Sequence, residues 1–136
     1  MLGRTVLALS AVLMLLMPAL VRAQDCPAEG SGWEGREDAV RKAPTCNQAF
    51  KVAEACAYGA TGDTGLTNIV IEKCEADFLA KLSTAQRKTY KAEIKRCDAK
   101  ARGGHEGTMY ISFAAFCRAG VAQRTAAKFA KAPQRK

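Results

Sequence analysis

The chain has 136 residues, with 21 Lys and Arg against 13 Asp and Glu, one His and six Cys. That length suits one domain, and 49% hydrophobic with 25% charged residues is the balance of a folded chain, not of a disordered tail. A histidine-built zinc site is excluded because His105 stands alone.

Residues 1–23 read as an export signal. Arg4 supplies the short positive start, Val6 to Val21 is apolar apart from Ser10 and Pro18, and Val21-Arg22-Ala23 places small residues for cleavage after Ala23. The uninterrupted apolar stretches are short for a span of ~20 residues. Cys26 follows Gln24-Asp25 rather than a small residue at the cleavage point, which argues against a lipid anchor. The expected mature chain, residues 24–136, is periplasmic or secreted, has no membrane span, and keeps 19 basic and 13 acidic side chains, a net +6.

The segment 24–44 is rich in Gly and Pro and reads as a loosely ordered lead, with a helical turn near Glu37–Lys42. Thr45 with Gln48 forms a capping-box pattern, and Cys46, Ala49, Phe50, Ala53, Cys56 and Ala57 follow at helical spacing up to Gly59. A second helix is expected from about Leu66 to Leu82, carrying Val70, Cys74, Phe78 and Leu82. Ser83 with Gln86 repeats the capping box and opens a third, with Tyr90, Ile94, Cys97 and Ala101 on one face and Gly103-Gly104 as its stop. A fourth runs from Gly107 or Thr108 toward Phe129. Its first half, with Met109, Tyr110, Ile111, Phe113 and Phe116, is apolar on most sides, so it is expected to be the most buried. The helical domain thus spans about 45–130, with a basic tail at 131–136.

All six cysteines lie in the mature chain, and an even number in an exported small domain points to three disulfides. No pair has the C-x2-C spacing of structural zinc, so neither a metal nor a cofactor is implied. Facing residues of an antiparallel helix pair share a nearly constant midpoint. Cys46 and Cys74 centre on the Gly59–Gly65 turn, and Cys97 and Cys117 centre just past Gly103-Gly104, which leaves Cys26 to pair with Cys56. This is one of 15 connectivities.

Charge is divided along the chain. Residues 24–80 carry 5 basic and 10 acidic groups; residues 81–136 carry 14 basic and 3 acidic. Arg87, Lys91 and Lys95 form an i, i+4, i+8 row flanked by Lys88, and Arg124 lies farther on. The row is either a solvated face or a surface for an anionic envelope polymer or acidic partner. Nucleic acid is not expected: the protein is exported and the row has no interleaved aromatics.

Catalysis finds no constellation. His105 sits in a Gly-Gly-His-Glu-Gly turn, which offers neither a positioned partner nor shelter. Ser83 is explained as a cap, and no nucleophile elbow, phosphate loop or calcium loop appears. Trp33, the only Trp, either packs back on the helices or anchors a partner; a lone Trp is most often packed.

The stretch from Cys74 through Phe78, Leu82, Ser83, Gln86 and Arg87 to Glu93 resembles the centre of the bacterial lysozyme-inhibitor LprI-like domains, which read as a helix ending in Leu, a Ser-x-x-Gln-Arg start and a long basic helix. Gly107-Thr108, Cys117, Arg124 and Thr125 resemble the Gly-Ser, Cys and Arg-Thr elements of their last helix. The long helix departs from that pattern at Glu93–Asp98, where the family Trp is missing and the Cys is shifted. The resemblance covers about residues 45–130. It implies an exported helical domain and, as in some relatives, inhibition of lysozyme; the missing catalytic motifs make the expected role a non-catalytic one. A chain at +6 is repelled at long range by a basic lysozyme, so such a contact would fall to acidic residues such as Glu72, Glu75 and Asp77 or to the lead segment. The expected fold is an all-α, small antiparallel bundle of about four helices tied by three disulfides. The expected partner is a lysozyme-like hydrolase; the alternative is an anionic envelope polymer held by the basic face of the third helix and the C-terminal tail.

Overall fold

The computed structural model describes residues 25–30, 32–102 and 107–131. The expected signal segment, His105 and most of the basic tail lie outside the described residues. The fold is all-α. Its elements are α1 (Trp33–Lys42), α2 (Cys46–Ala55), α3 (Asp63–Phe78) with a 3-10 turn at Leu79–Lys81, α4 (Thr84–Arg102) and α5 (Thr108–Lys131).

Among the described residues there are five helices rather than about four, because much of the lead segment is α1. Glu34 in its first turn and Arg41 and Lys42 in its last suit the helix dipole. Its cohesion is tertiary: Val40 is fully buried, Arg36 donates to the Cys56 carbonyl at 2.6 Å, and the Cys26–Cys56 disulfide ties the preceding strand of chain to the end of α2. Trp33 stacks on Tyr58 with ring centroids 5.6 Å apart and lies against Gly62 and Gly65 at the start of α3. A Cβ at either glycine would stand 2.5 Å from the indole, so the absence of a side chain there is what admits the ring.

The starts of α2 and α4 follow from their caps. Thr45 Oγ accepts from the Gln48 N–H at 3.2 Å. Ser83 Oγ accepts from the Gln86 N–H at 3.2 Å while the Ser83 N–H donates to Gln86 Oε1 at 2.8 Å, a reciprocal capping box. Between α2 and α3 the chain turns through Gly59, whose φ of 70° is left-handed. Asp63, fully buried as the first residue of α3, holds this turn. Its carboxylate accepts the N–H groups of Tyr58, Gly59 and Ala60 at 2.7, 2.9 and 3.3 Å and the Ser112 hydroxyl of α5 at 2.6 Å.

α5 packs mainly on α3 and on α4. Ala115, Ala119 and Ala122 are fully buried, and small side chains of this kind let the helices close together. Phe78, also fully buried, meets Tyr90 of α4 edge-on at 5.2 Å and Phe129 of α5 in a stack at 6.0 Å, so one side chain joins three helices. The disulfides are Cys26–Cys56, Cys46–Cys74 and Cys97–Cys117. The last two cross α2–α3 and α4–α5, the neighbours that the midpoint argument joins.

Candidate functional site

Two surfaces stand out, one on α4 and one at the start of α5. Along α4, Tyr90 and Cys97 face the core, and Lys88, Lys91 and Lys95 are exposed on a different side. Among the described residues, the ion pairs are Arg41–Glu37 and Arg118–Asp98, so none of these three lysines is paired there with a carboxylate. Arg87 is a different case: its guanidinium donates to the Leu79 carbonyl at 2.7 Å and closes the end of the 3-10 turn. Arg124 is exposed on α5, with its guanidinium over Gly120 beside Phe50 of α2. It belongs to the α2 side of α5 and is not gathered with the α4 row.

The two candidate carboxylates also part company. Glu75 accepts the Tyr90 hydroxyl at 2.8 Å, while Glu72 is exposed. Burial pushes the Tyr90 phenol well above its ordinary range, and the hydrogen bond to Glu75 and the negative charge beside it add to this. The Tyr90–Glu75 and Arg87–Leu79 bonds tie the first half of α4 to the end of α3 and its 3-10 turn.

The start of α5 corrects the sequence expectation. It is not the most buried part of the chain: Met109, Ile111 and Phe113 are 48%, 42% and 57% exposed. A helix buries one stripe, and here the stripe is Ser112, Ala115, Ala119 and Ala122. Met109 and Phe113 lie one turn apart on the same side, and Tyr110 meets Phe113 edge-on at 6.0 Å. Ile111 opens onto a groove of about 360 Å³ between the end of α4 and α5, lined also by Ala101 and Ala114 and by the Arg118–Asp98 pair at 2.6 Å. The apolar spacing of 109, 111 and 113 was visible in the sequence, since alternate residues of a helix cannot all share its buried stripe.

The remaining candidates settle into packing. Trp33 is 37% exposed but occupied by Tyr58 and the two glycines. Arg36 lies 3.7 Å over the Tyr58 ring. No helix among the described residues is long and apolar enough to cross a membrane, and three disulfides are compatible with an oxidising, extracytoplasmic compartment. Compared with protein-family models, curated proteins and solved structures, the chain finds no match.

Proposed function

We propose that the protein is an exported, non-catalytic binding domain of the inhibitor type, directed at a lysozyme or another cell-wall hydrolase. The observation that carries this reading is the exposed apolar start of α5. Met109 and Phe113 stand together on one side of the helix, with Tyr110 edge-on to Phe113, and large apolar side chains gathered in this way on the surface of a small domain mark a contact surface for another protein; buried aromatic anchors dominate such contacts. Met109, Ile111 and Phe113 stand on a helix held by the Cys97–Cys117 disulfide and by Ser112 on Asp63, so the surface is offered with little ordering left to do. The resemblance of α3 to α5 to the LprI-like inhibitors supplies the class of partner.

The test is a turbidity assay on cell walls with the oxidised protein purified from an exporting host, using an animal lysozyme and a bacterial wall hydrolase. Inhibition at micromolar concentration or below is expected. Phe113→Asp combined with Met109→Ser weakens it at least tenfold with an unchanged melting temperature, since both side chains are exposed. Like charges on the two proteins slow their encounter, so added salt speeds association with a basic lysozyme. Absence of inhibition at large molar excess, or full inhibition by the double variant, overturns the reading.

A further inference from the structure

We propose that the outer face of α4 binds a flexible polyanion, a polymer of phosphate or carboxylate groups without bases or acyl chains, at the opposite end of α4 from the apolar surface. Four observations converge on this.

The first is uncompensated charge. Together α4 and α5 carry 11 basic and 2 acidic residues, and one of the two acids, Asp98, is engaged by Arg118. Lys88, Lys91 and Lys95 are exposed and have no carboxylate partner among the described residues. The second is rigidity. The backbone beneath the row is held by the Ser83–Gln86 box, by Arg87 on the Leu79 carbonyl, by buried Tyr90 and by the Cys97–Cys117 disulfide. The charges are therefore fixed on a stiff rod, and only the lysine stems remain to be ordered on binding.

The third is geometry. Lys88 to Lys95 spans about 10 Å along the helix axis at ~1.5 Å per residue, a linear array that suits a linear polymer rather than a single small anion. The fourth is chemistry. Thr84, Ala92 and the lysine stems are what this face offers beside charge. Base stacking needs exposed aromatics, and insertion into a lipid interface needs large apolar residues; neither is on the row. The row lies roughly 9–20 Å along α4 from Ala101 beside the apolar groove, by the same helical rise. One molecule can thus hold an anionic matrix and a protein partner together.

The experiment measures binding of long-chain inorganic polyphosphate to the oxidised protein as salt is raised from about 50 to 200 mM. Three lysine contacts predict about a 20-fold loss of affinity over that range, because each releases roughly 0.7 counterion. Lys88→Glu with Lys91→Glu and Lys95→Glu should abolish most of the binding at the low-salt end. Lys42→Glu with Lys51→Glu and Lys73→Glu makes the same change of net charge on the other half and should leave most of it. Equal losses in the two triple variants, or binding indifferent to salt, overturn the proposal. Stronger binding to phosphatidylglycerol vesicles at matched phosphate also overturns it, in favour of a membrane surface. No hydrolase enters the assay, so its failure leaves the inhibitor reading untouched, and the reverse holds as well.

Discussion

Replacing Asp63 by Ala is the most informative perturbation of the fold. The carboxylate is fully buried and accepts four hydrogen bonds, three from the backbone of the α2–α3 turn and one from Ser112 of α5. The three N–H donors belong to a turn whose Tyr58 and Gly59 are exposed, so water can replace the lost acceptor there, at a net cost of about 1 kcal/mol each. The Ser112 hydroxyl has no such recourse. At 3% exposure it is left unsatisfied in the core, for about 2 kcal/mol. The expected loss is about 5 kcal/mol, a large share of the ~5–15 kcal/mol that holds a domain of this size together. Urea unfolding of the oxidised protein, followed by far-UV circular dichroism, measures it. Ser112→Ala should cost much less on its own, because it removes one donor and leaves the turn bound. In a double-mutant cycle, Asp63 and Ser112 should couple by about 1–3 kcal/mol. A loss under about 1 kcal/mol in Asp63→Ala, or additive effects of the two substitutions, would refute the reasoning that this carboxylate joins α3, its turn and α5.

Gly65→Ala places a methyl group 2.5 Å from the Trp33 ring and 2.6 Å from Glu37 Oε1, so the indole must leave its seat; emission of the single Trp should shift to longer wavelength and stability fall by about 1–3 kcal/mol, whereas unchanged emission would contradict the packing. The raised Tyr90 phenol has a consequence at high pH. An acid whose folded value lies above its unfolded ~10 stabilises the fold fully below pH ~10 and loses that contribution as pH rises through the folded value. One of the three tyrosines should therefore resist ionisation in an absorbance titration until the protein unfolds, and Tyr90→Phe should remove that late step; the same late step in the variant would show that another tyrosine supplies it.

Local rules made much of this fold legible. The Ser83–Gln86 and Thr45–Gln48 pairs set helix starts by satisfying orphan N–H groups nearby in sequence, and those contacts are in the structure. The antiparallel midpoints of the cysteines are also a sequence property, because short turns make chain neighbours into spatial neighbours. The lead segment was harder to read. Its glycines argue against a helix by propensity, and α1 forms because Trp33, Arg36 and Val40 find partners on α2, α3 and the turn between them.

The candidate surfaces divide in the same way. That Lys88, Lys91 and Lys95 share a side of one helix follows from the 3.6-residue period alone. That Arg87 is engaged by the Leu79 carbonyl and Glu75 by Tyr90, and that Arg124 lies over Gly120 on the α2 side of α5, depends on how helices distant in sequence are placed. The start of α5 makes the point most sharply. Its composition announces an apolar helix, but which stripe of it is buried is decided by the partner it meets. Sequence determined α2 to α5, the caps of α2 and α4 and the cysteine ladder, since these rest on short-range hydrogen bonds and chain geometry. Only the tertiary structure decided that α5 turns its small residues inward against α3 and leaves Met109, Ile111 and Phe113 to the outside, because close helix packing rewards small side chains at the seam more than large ones.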